Sequence, residues 1–529
     1  MNFNKISKNY GLLASIIFTG IILLLVLQGR PGNPTETELN TTDWKQNGPF
    51  ELSPERGRYA LAYSIFEDRS LFLSLPLARF VVPDLGYSNN RFVSLFAPTV
   101  SFIVLPGMII GSLLGNAQLG TFAVISLFAL MNIILIRKIA IKLGADTLPA
   151  TLASLIFLFA TPAFTYSVTL YQHHISTFLL LIVLYLHIAS EHKRYEFLMW
   201  ILYGIAITVD YPNFFVFLPI MLSELKKIIS RDYLKTSVSL TIHSKKALSV
   251  AAIVIPLALF MLYNNQTFGS PFQLSGTVMT IKSIDKDGIP SQEADFNDDS
   301  DSTIHINPTE EAQSFSALTF FNTRNMVNGL YTLFFSTDRG TVFYTPIILF
   351  SIGGIILIFR KRNVFLPVIL STLAMIILLY SMWGDPWGGW AFGSRYLIPA
   401  YAIAAIFIAF IIPKVTTKAV LLLSFIVLFA YSSYINTAGV LTSKSNPPRV
   451  EILSLEKQTG TIQKQTYERN FARIKNNESK SYIYQMLMEG KISVNMYFLL
   501  IWSSIFISVT VPVLTLYRER KELYNAARI

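Results

Sequence analysis

The sequence predicts an all-α polytopic membrane protein, a bundle of about twelve transmembrane helices with amphipathic surface helices in its first external loop. Three observations predict it. Hydrophobic residues make up 52% of the 529 residues and charged residues only 14%. Mean hydropathy is +0.48. Lys and Arg fall in short clusters between apolar runs. An ordinary soluble domain is about a quarter charged, so a bilayer is the implied solvent. The net charge of +11 then reads as a topology signal and not as a nucleic-acid footprint. Cysteine is absent, which excludes a disulfide framework, a thiolate nucleophile and a Cys-based metal site.

Along the chain, Lys5 and Lys8 precede an apolar run from Gly11 to Leu27, and Gln28, Gly29, Arg30 and Pro31 follow it where a signal peptide would have a small-residue cleavage site. The run is therefore expected to be an uncleaved anchor. The apolar segment 92 to 114 is interrupted by Pro98, Pro106, Gly107 and Gly111 and is expected not to cross, its irregular backbone being covered by protein or a polar cavity. With that segment left out, Arg137/Lys138/Lys142, Lys193/Arg194, the run Lys226 to Lys246, Arg360/Lys361/Arg362, Lys414/Lys418 and Arg518/Arg520/Lys521 all become cytoplasmic.

Spans are expected near 11 to 27, 118 to 136, 147 to 164, 174 to 190, 196 to 209, 212 to 225, 247 to 263, 341 to 359, 364 to 382, 396 to 412, 418 to 437 and 494 to 516, with both termini cytoplasmic. The pair 196 to 209 and 212 to 225 is short, about 21 Å each at the helical rise, which predicts a broken hairpin whose tip, Asp210-Tyr211-Pro212, stays below the outer surface. Residues 1 to 437 then form the main transmembrane domain, with external loops 28 to 117 and 264 to 340. Residues 438 to 529 add an external segment and a last span. The loop 264 to 340 holds Asp285, Asp287, Glu293, Asp295, Asp298, Asp299 and Asp301. Asp295, Asn297 and Asp299 alternate as calcium ligands do, but Ser300 stands where an EF-hand needs Gly and Ile306 where it needs Glu, so a solvated loop is expected. Three glycosylation-type triplets, at Asn40, Asn265 and Asn477, also fall outside. No internal repeat is visible.

Candidate chemistry gathers on the external side. Ser53 to Asp68 reads as an amphipathic helix on the membrane surface, and Glu55, Arg58 and Tyr59 are neighbours on it at i, i+3 and i+4. Glu55 is a candidate general base, or else an acid favoured by the helix macrodipole. Glu51, Asp43 and Asp68 are alternatives. His173 and His174 stand at a helix boundary but cannot both face one point on a helix, and no second His cluster has ligand spacing, so no metal is expected; one His is available to a phosphate or hydroxyl. Asp210, with Tyr211, is an ionisable group inside a membrane hairpin, which is expensive unless paired and so marks either a site or a structural salt bridge. Arg339, in Asp338-Arg339-Gly340, and Arg395, in Gly393-Ser394-Arg395-Tyr396, lie at outer helix mouths, where a guanidinium matches phosphate oxygens.

These strings resemble those of the polytopic GT-C glycosyltransferases, of the protein O-mannosyltransferase, aminoarabinose transferase and RgtA/B/C/D-like kind. The first-loop acid four residues before an aromatic is matched by Glu55-Arg56-Gly57-Arg58-Tyr59, with Glu where the family usually has Asp. Phe268-Gly269-Ser270-Pro271, Asp338-Arg339-Gly340 and Gly393-Ser394-Arg395-Tyr396 resemble further family strings, so the likeness covers most of 1 to 437. The resemblance implies a GT-C-like bundle in the cell membrane and transfer, with inversion, of a sugar from a polyprenyl-phosphate donor to a glycan, lipid or protein acceptor at the non-cytoplasmic face. Glu55 would be the base. Arg58, Tyr59, His173, His174, Asp210, Tyr211, Arg339, Arg395 and Tyr396 would bind the donor phosphate and sugar. No cofactor is implied, a divalent cation has no motif behind it, and no nucleic acid is expected as a partner. A transporter or a flippase for lipid-linked sugars could have the same helix count, but would place charge near the bilayer midplane in repeated halves; a non-catalytic assembly protein is the third reading.

Overall fold

The computed structural model describes residues 3–189, 193–233, 238–292 and 321–526. Among the described residues five helices are long and apolar enough to cross a membrane: Ala117–Lys142, Lys246–Phe268, Arg395–Val415, Ala419–Leu441 and Val494–Leu514. Helices also occupy the other segments expected to span. In chain order the elements that matter for the site are α1 (Phe3–Val26), α2 (Ser53–Tyr63), α3 (Thr99–Leu113), α4 (Ala117–Lys142), α5 (Thr147–Phe159), α6 (His173–Ala189), α7 (Lys193–Val209), α8 (Asn213–Lys226), α9 (Leu366–Ser381), α10 (Ile398–Val415), α11 (Ala419–Leu441) and α12 (Val494–Ala526). Glu293, Asp295, Asn297, Asp298, Asp299, Ser300, Asp301 and Ile306 of the acidic tract lie outside the described residues.

Helix α10 is the axis of the bundle. Every residue from Ile398 to Phe410 is buried, as expected of a helix that is apolar all round. Helices α4, α5, α6 and α9 pack around it.

The segment 92 to 114 is more regular than its prolines and glycines predict. Residues Leu85–Ser88 (β1) and Arg91–Ser94 (β2) form a hairpin turned by Asn89 and Asn90, both at positive φ, and α3 then runs unbroken through Pro106. The glycines do not break α3; they let it close on α4. A Cβ at Gly120 would lie 1.9 Å from the Gly107 carbonyl oxygen, so no other residue fits that crossing. Helix α3 is 15 residues long, about 22 Å at the helical rise. Its start sits on α2, where Ser101 Oγ donates to Arg58 O at 2.9 Å, and its end sits beside the chain leaving α1, where Asn33 Nδ2 donates to Ser112 O at 3.0 Å. Helix α4 alone runs on to Arg137, Lys138 and Lys142.

Helix α2 forms where its Pro54 start predicts, but it does not lie on a surface. Glu55, Arg58, Tyr59, Ala60, Leu61 and Ala62 are all buried. Its polar groups find long-range partners in place of water. The strand Met279–Ile281 pairs antiparallel with β1, Leu85 opposite Ile281, and ties the loop 28 to 117 to the loop 264 to 340.

The chain after residue 437 packs into the same core. Ser443, Lys444 and Asn446 are fully buried, Lys480 N donates to Leu441 O at 2.8 Å, and Tyr482 N donates to Leu27 O at 2.8 Å. Two of the glycosylation-type triplets start on ordered, exposed backbone: Asn265 lies within the Val254–Phe268 helix, and Asn477 Oδ1 accepts from Val494 N at 2.7 Å.

Candidate functional site

The connection between α5 and α6, residues 160 to 172, has little regular structure and yet is buried from Ala160 to Tyr171. A buried irregular backbone needs partners for its peptide groups. Ser126 Oγ donates to Ser167 O at 2.8 Å, and Leu170 N donates to Glu55 Oε1 at 3.3 Å. The segment is thereby held so that Tyr171 and Gln172 face a cavity of about 340 Å³.

Several pieces of chain meet at that cavity, and four of them bring its charged side chains and the groups beside them. Helix α2 supplies Arg58, the 160 to 172 connection supplies Tyr171 and Gln172, the tip between α7 and α8 supplies Asp210 and Tyr211, and the passage from α9 to α10 supplies Tyr380, Trp383, Arg395 and Tyr396. Helices α6 to α10 reach it by one end only. The far ends of α7, α8, α9 and α10 carry or adjoin Lys193/Arg194, Lys226/Lys227, Arg360/Lys361/Arg362 and Lys414/Lys418.

Its electrostatics are two cations around one aromatic ring, with one acid. The Arg58 guanidinium carbon lies 5.7 Å from the Tyr171 ring centre and that of Arg395 lies 5.1 Å from it. Such stacking orients a guanidinium through its face and leaves its edge N–H groups for an anion. The Nε of both arginines is buried without a hydrogen-bond partner. Arg58 Nη2 donates to Gln172 Oε1 at 2.7 Å, and Gln172 Nε2 donates to Asp210 Oδ2 at 3.2 Å, a relay that fixes the carboxylate relative to the cation. Burial lowers Arg58 to about 10, so it stays charged at neutral pH. Tyr380 and Tyr396 stack 4.7 Å apart and form a flat wall. The loop before Arg395 closes over it at Gly388, at φ +71°, where a Cβ would lie 3.1 Å from Arg395 Nε.

Of the residues singled out from sequence, Arg58, Asp210, Tyr211, Arg395 and Tyr396 line this cavity together. Glu55 does not. Its side chain is fully buried one step behind the wall, paired with Lys444 Nζ at 3.0 Å. Tyr59 points into the apolar core, its ring 4.4 Å from that of Phe50. His174 is an interior residue, bonded to Ala163 O at 2.7 Å and facing Asn132 Nδ2 at 3.3 Å. His173 stands behind the cavity, stacked on Tyr171 at 5.7 Å. Arg339 is fully buried and is held by four carbonyls, those of Trp387, Asp338, Gly389 and Asn446, at 2.8 to 2.9 Å. A guanidinium has five N–H donors, so Arg339 has little left for a ligand. Glu51 pairs with Lys480 at 2.9 Å, Asp43 with Arg30 at 2.8 Å, and Asp68 is an exposed residue beside Glu36; none lines the cavity. Sequence reasoning gave Gln172 no role and passed over Tyr380. The first had a signal, being next to the histidine pair; a Tyr at a helix end has none, because interfacial belts use the same residue.

Among the described residues no three of His, Asp and Glu converge as a metal would require. No family model and no curated protein matches the chain. Among solved structures it is similar to ArnT from Cupriavidus metallidurans bound to undecaprenyl phosphate, at 11% identity and a TM-score of 0.46, over 96% of this chain and 74% of that one. It is also similar to the oligosaccharyltransferase AglB from Archaeoglobus fulgidus in complex with an inhibitory peptide and a dolichol-phosphate, at 12% identity and a TM-score of 0.46, over 86% of this chain and 58% of that one. Likenesses this distant carry no argument about chemistry, which rests on the residues of this chain.

Proposed function

We propose that the cavity transfers a glycosyl group from a polyprenyl-phosphate carrier to an acceptor hydroxyl at the non-cytoplasmic face, with inversion. The observation that carries this reading is the convergence of two aromatic-stacked guanidiniums and one carboxylate on a cavity at one end of an apolar bundle. Asp210, the carboxylate on the cavity, accepts the acceptor proton as its oxygen forms a bond to the anomeric carbon. The bond from that carbon to the donor phosphate breaks, and the electron pair leaves on the phosphate oxygen. Arg58 and Arg395 hold that developing charge. Tyr380 and Tyr396 offer a flat face to the sugar ring. The basic helix ends opposite the cavity favour a cytoplasmic location for that end, and so an external one for the cavity.

The role that sequence resemblance suggests for Glu55 passes to Asp210 in this reading, because a general base has to reach the proton it removes. The test is incubation of the purified full-length protein with labelled polyprenyl-phosphate sugars and membrane extract. Transfer of label that disappears with Asp210→Asn supports the reading. Undiminished transfer by a folded Asp210→Asn protein removes Asp210 as the base, and no transfer from any such donor by the wild type removes the reaction.

A further inference from the structure

Behind the cavity wall lies a cluster of four buried charges. Lys444 Nζ is 3.0 Å from Glu55 Oε2 and 3.6 Å from Glu51 Oε2, and Lys480 Nζ is 2.9 Å from Glu51 Oε1. The side chains of Lys444 and Glu55 are 0% exposed. Two acids and two bases leave the cluster neutral. Lys444 Nζ also donates to Gln28 Oε1 and Pro49 O, each at 3.2 Å. The cluster thus joins the end of α1, the start of α2 and the chain that follows α11.

Glu55 uses its carboxylate in two directions. Oε2 meets Lys444 and accepts from Glu51 N at 3.2 Å, while Oε1 accepts from Leu170 N at 3.3 Å. The Leu170 carbonyl in turn accepts from Arg58 Nη1 at 3.5 Å, and the next two residues are Tyr171 and Gln172. A buried carboxylate without a cation would take up a proton. Burial pushes the Glu55 carboxyl above its ordinary value, and Lys444 is the largest influence opposing that. A charged acceptor holds an amide about twice as strongly as a neutral one.

We propose that Glu55 is a positioning residue and not the base: paired with Lys444, it anchors the Leu170 amide and so sets where Tyr171 and Gln172 hold Arg58, Arg395 and Asp210. Its effect on transfer rests on the glycosyltransfer reading; its hold on Leu170 does not. A positioning ion pair and a catalytic base differ in one measurable respect. Removing both charges of a pair restores a neutral cluster, whereas no change at Lys444 restores a lost base.

The experiment measures amide exchange of the 165 to 175 region in the full-length protein for the wild type, Glu55→Gln, Lys444→Met and the double variant, with donor KM and kcat on the same samples. Each single variant leaves one buried charge unbalanced and is expected to speed Leu170 exchange by at least about tenfold. The double variant is expected to return to within about threefold of the wild type. Donor KM should rise in the single variants and recover in the double, with the pH dependence of kcat unchanged throughout. Unchanged Leu170 exchange in the single variants would overturn the proposal. So would a folded double variant with restored exchange and no transfer, which would make Glu55 the base. If the wild type transfers no sugar, the proposed reaction fails while the exchange data still decide the positioning role. Should Glu55→Gln not fold, Glu55→Asp retains the charge but shortens the reach, and faster Leu170 exchange in it supports the same conclusion, unchanged exchange the opposite one.

Discussion

Arg339 and Arg395 begin as twins. Each follows a short polar string at a helix mouth on the same side of the bundle, and sequence gives no reason to separate them. In the fold, Arg339 is surrounded by four backbone carbonyls and knits the 387 to 389 loop to Asn446. Arg395 is caged by the ring faces of Tyr171 and Tyr396, and its Nε is left without a hydrogen-bond partner. The acids divide in the same way, Glu55 paired with Lys444 and Asp210 turned to the cavity. Charge and position alike are poor guides to a site. What marks one is hydrogen-bonding capacity that the fold leaves open.

That difference is sharpest under substitution. Arg339→Met would leave several buried carbonyls unpaired and should cost at least about 4 kcal/mol of stability, read as a fall in thermal midpoint or failure to accumulate. Arg395→Met leaves no such carbonyls and should keep its midpoint. A stable Arg339→Met protein that has lost donor binding would invert the comparison.

Asp210→Asn comes next. It keeps shape and the hydrogen bond from Gln172 but removes the negative charge, so kcat should fall by about 10²- to 10⁴-fold while donor KM moves little. A fall in donor binding alone would instead make Asp210 a ligand to the sugar. Arg395→Lys should be milder, about tenfold in donor KM, since a point charge replaces a planar fork and one charge-assisted hydrogen bond is lost.

The helices were readable because the apolar runs, even the short pair on either side of Asp210-Tyr211-Pro212, are closed by charged or proline boundaries. Asp210, Tyr211, Arg395 and Tyr396, which line the cavity, stand out in the sequence for a related reason: charges and glycines are conspicuous against the composition of a membrane helix. The burial and pairing of Glu55 and Arg339 were not legible, for one physical cause. Their partners, Lys444 and the carbonyls of Trp387, Gly389 and Asn446, are remote in sequence, and a local pattern records a residue's charge but not who neutralises it. Helix α2 shows the same thing on a larger scale. Its polar positions suggested a water-facing side, but Arg58 is answered by Gln172 and Glu55 by Lys444, so the helix could be buried whole.

The smallest predicted effect concerns Glu51, which joins the two halves of the ion cluster. Burial alone would raise its carboxyl, but Lys480, and then Lys444, hold it well below the ordinary value of 4.5. The sign follows from proton uptake. Below that value the unfolded chain takes a proton at Glu51 while the folded chain does not, so acid favours unfolding, and the stabilisation present above it is lost as pH falls towards the folded value. The slope from this one group is at most about 1.4 kcal/mol per pH unit. Thermal midpoints measured from pH 6 to pH 3 should therefore fall less steeply in Glu51→Gln/Lys480→Met than in the wild type. Equal slopes would mean that the two lysines do not hold Glu51 ionised, and that the cluster behind the cavity is joined by packing rather than by charge.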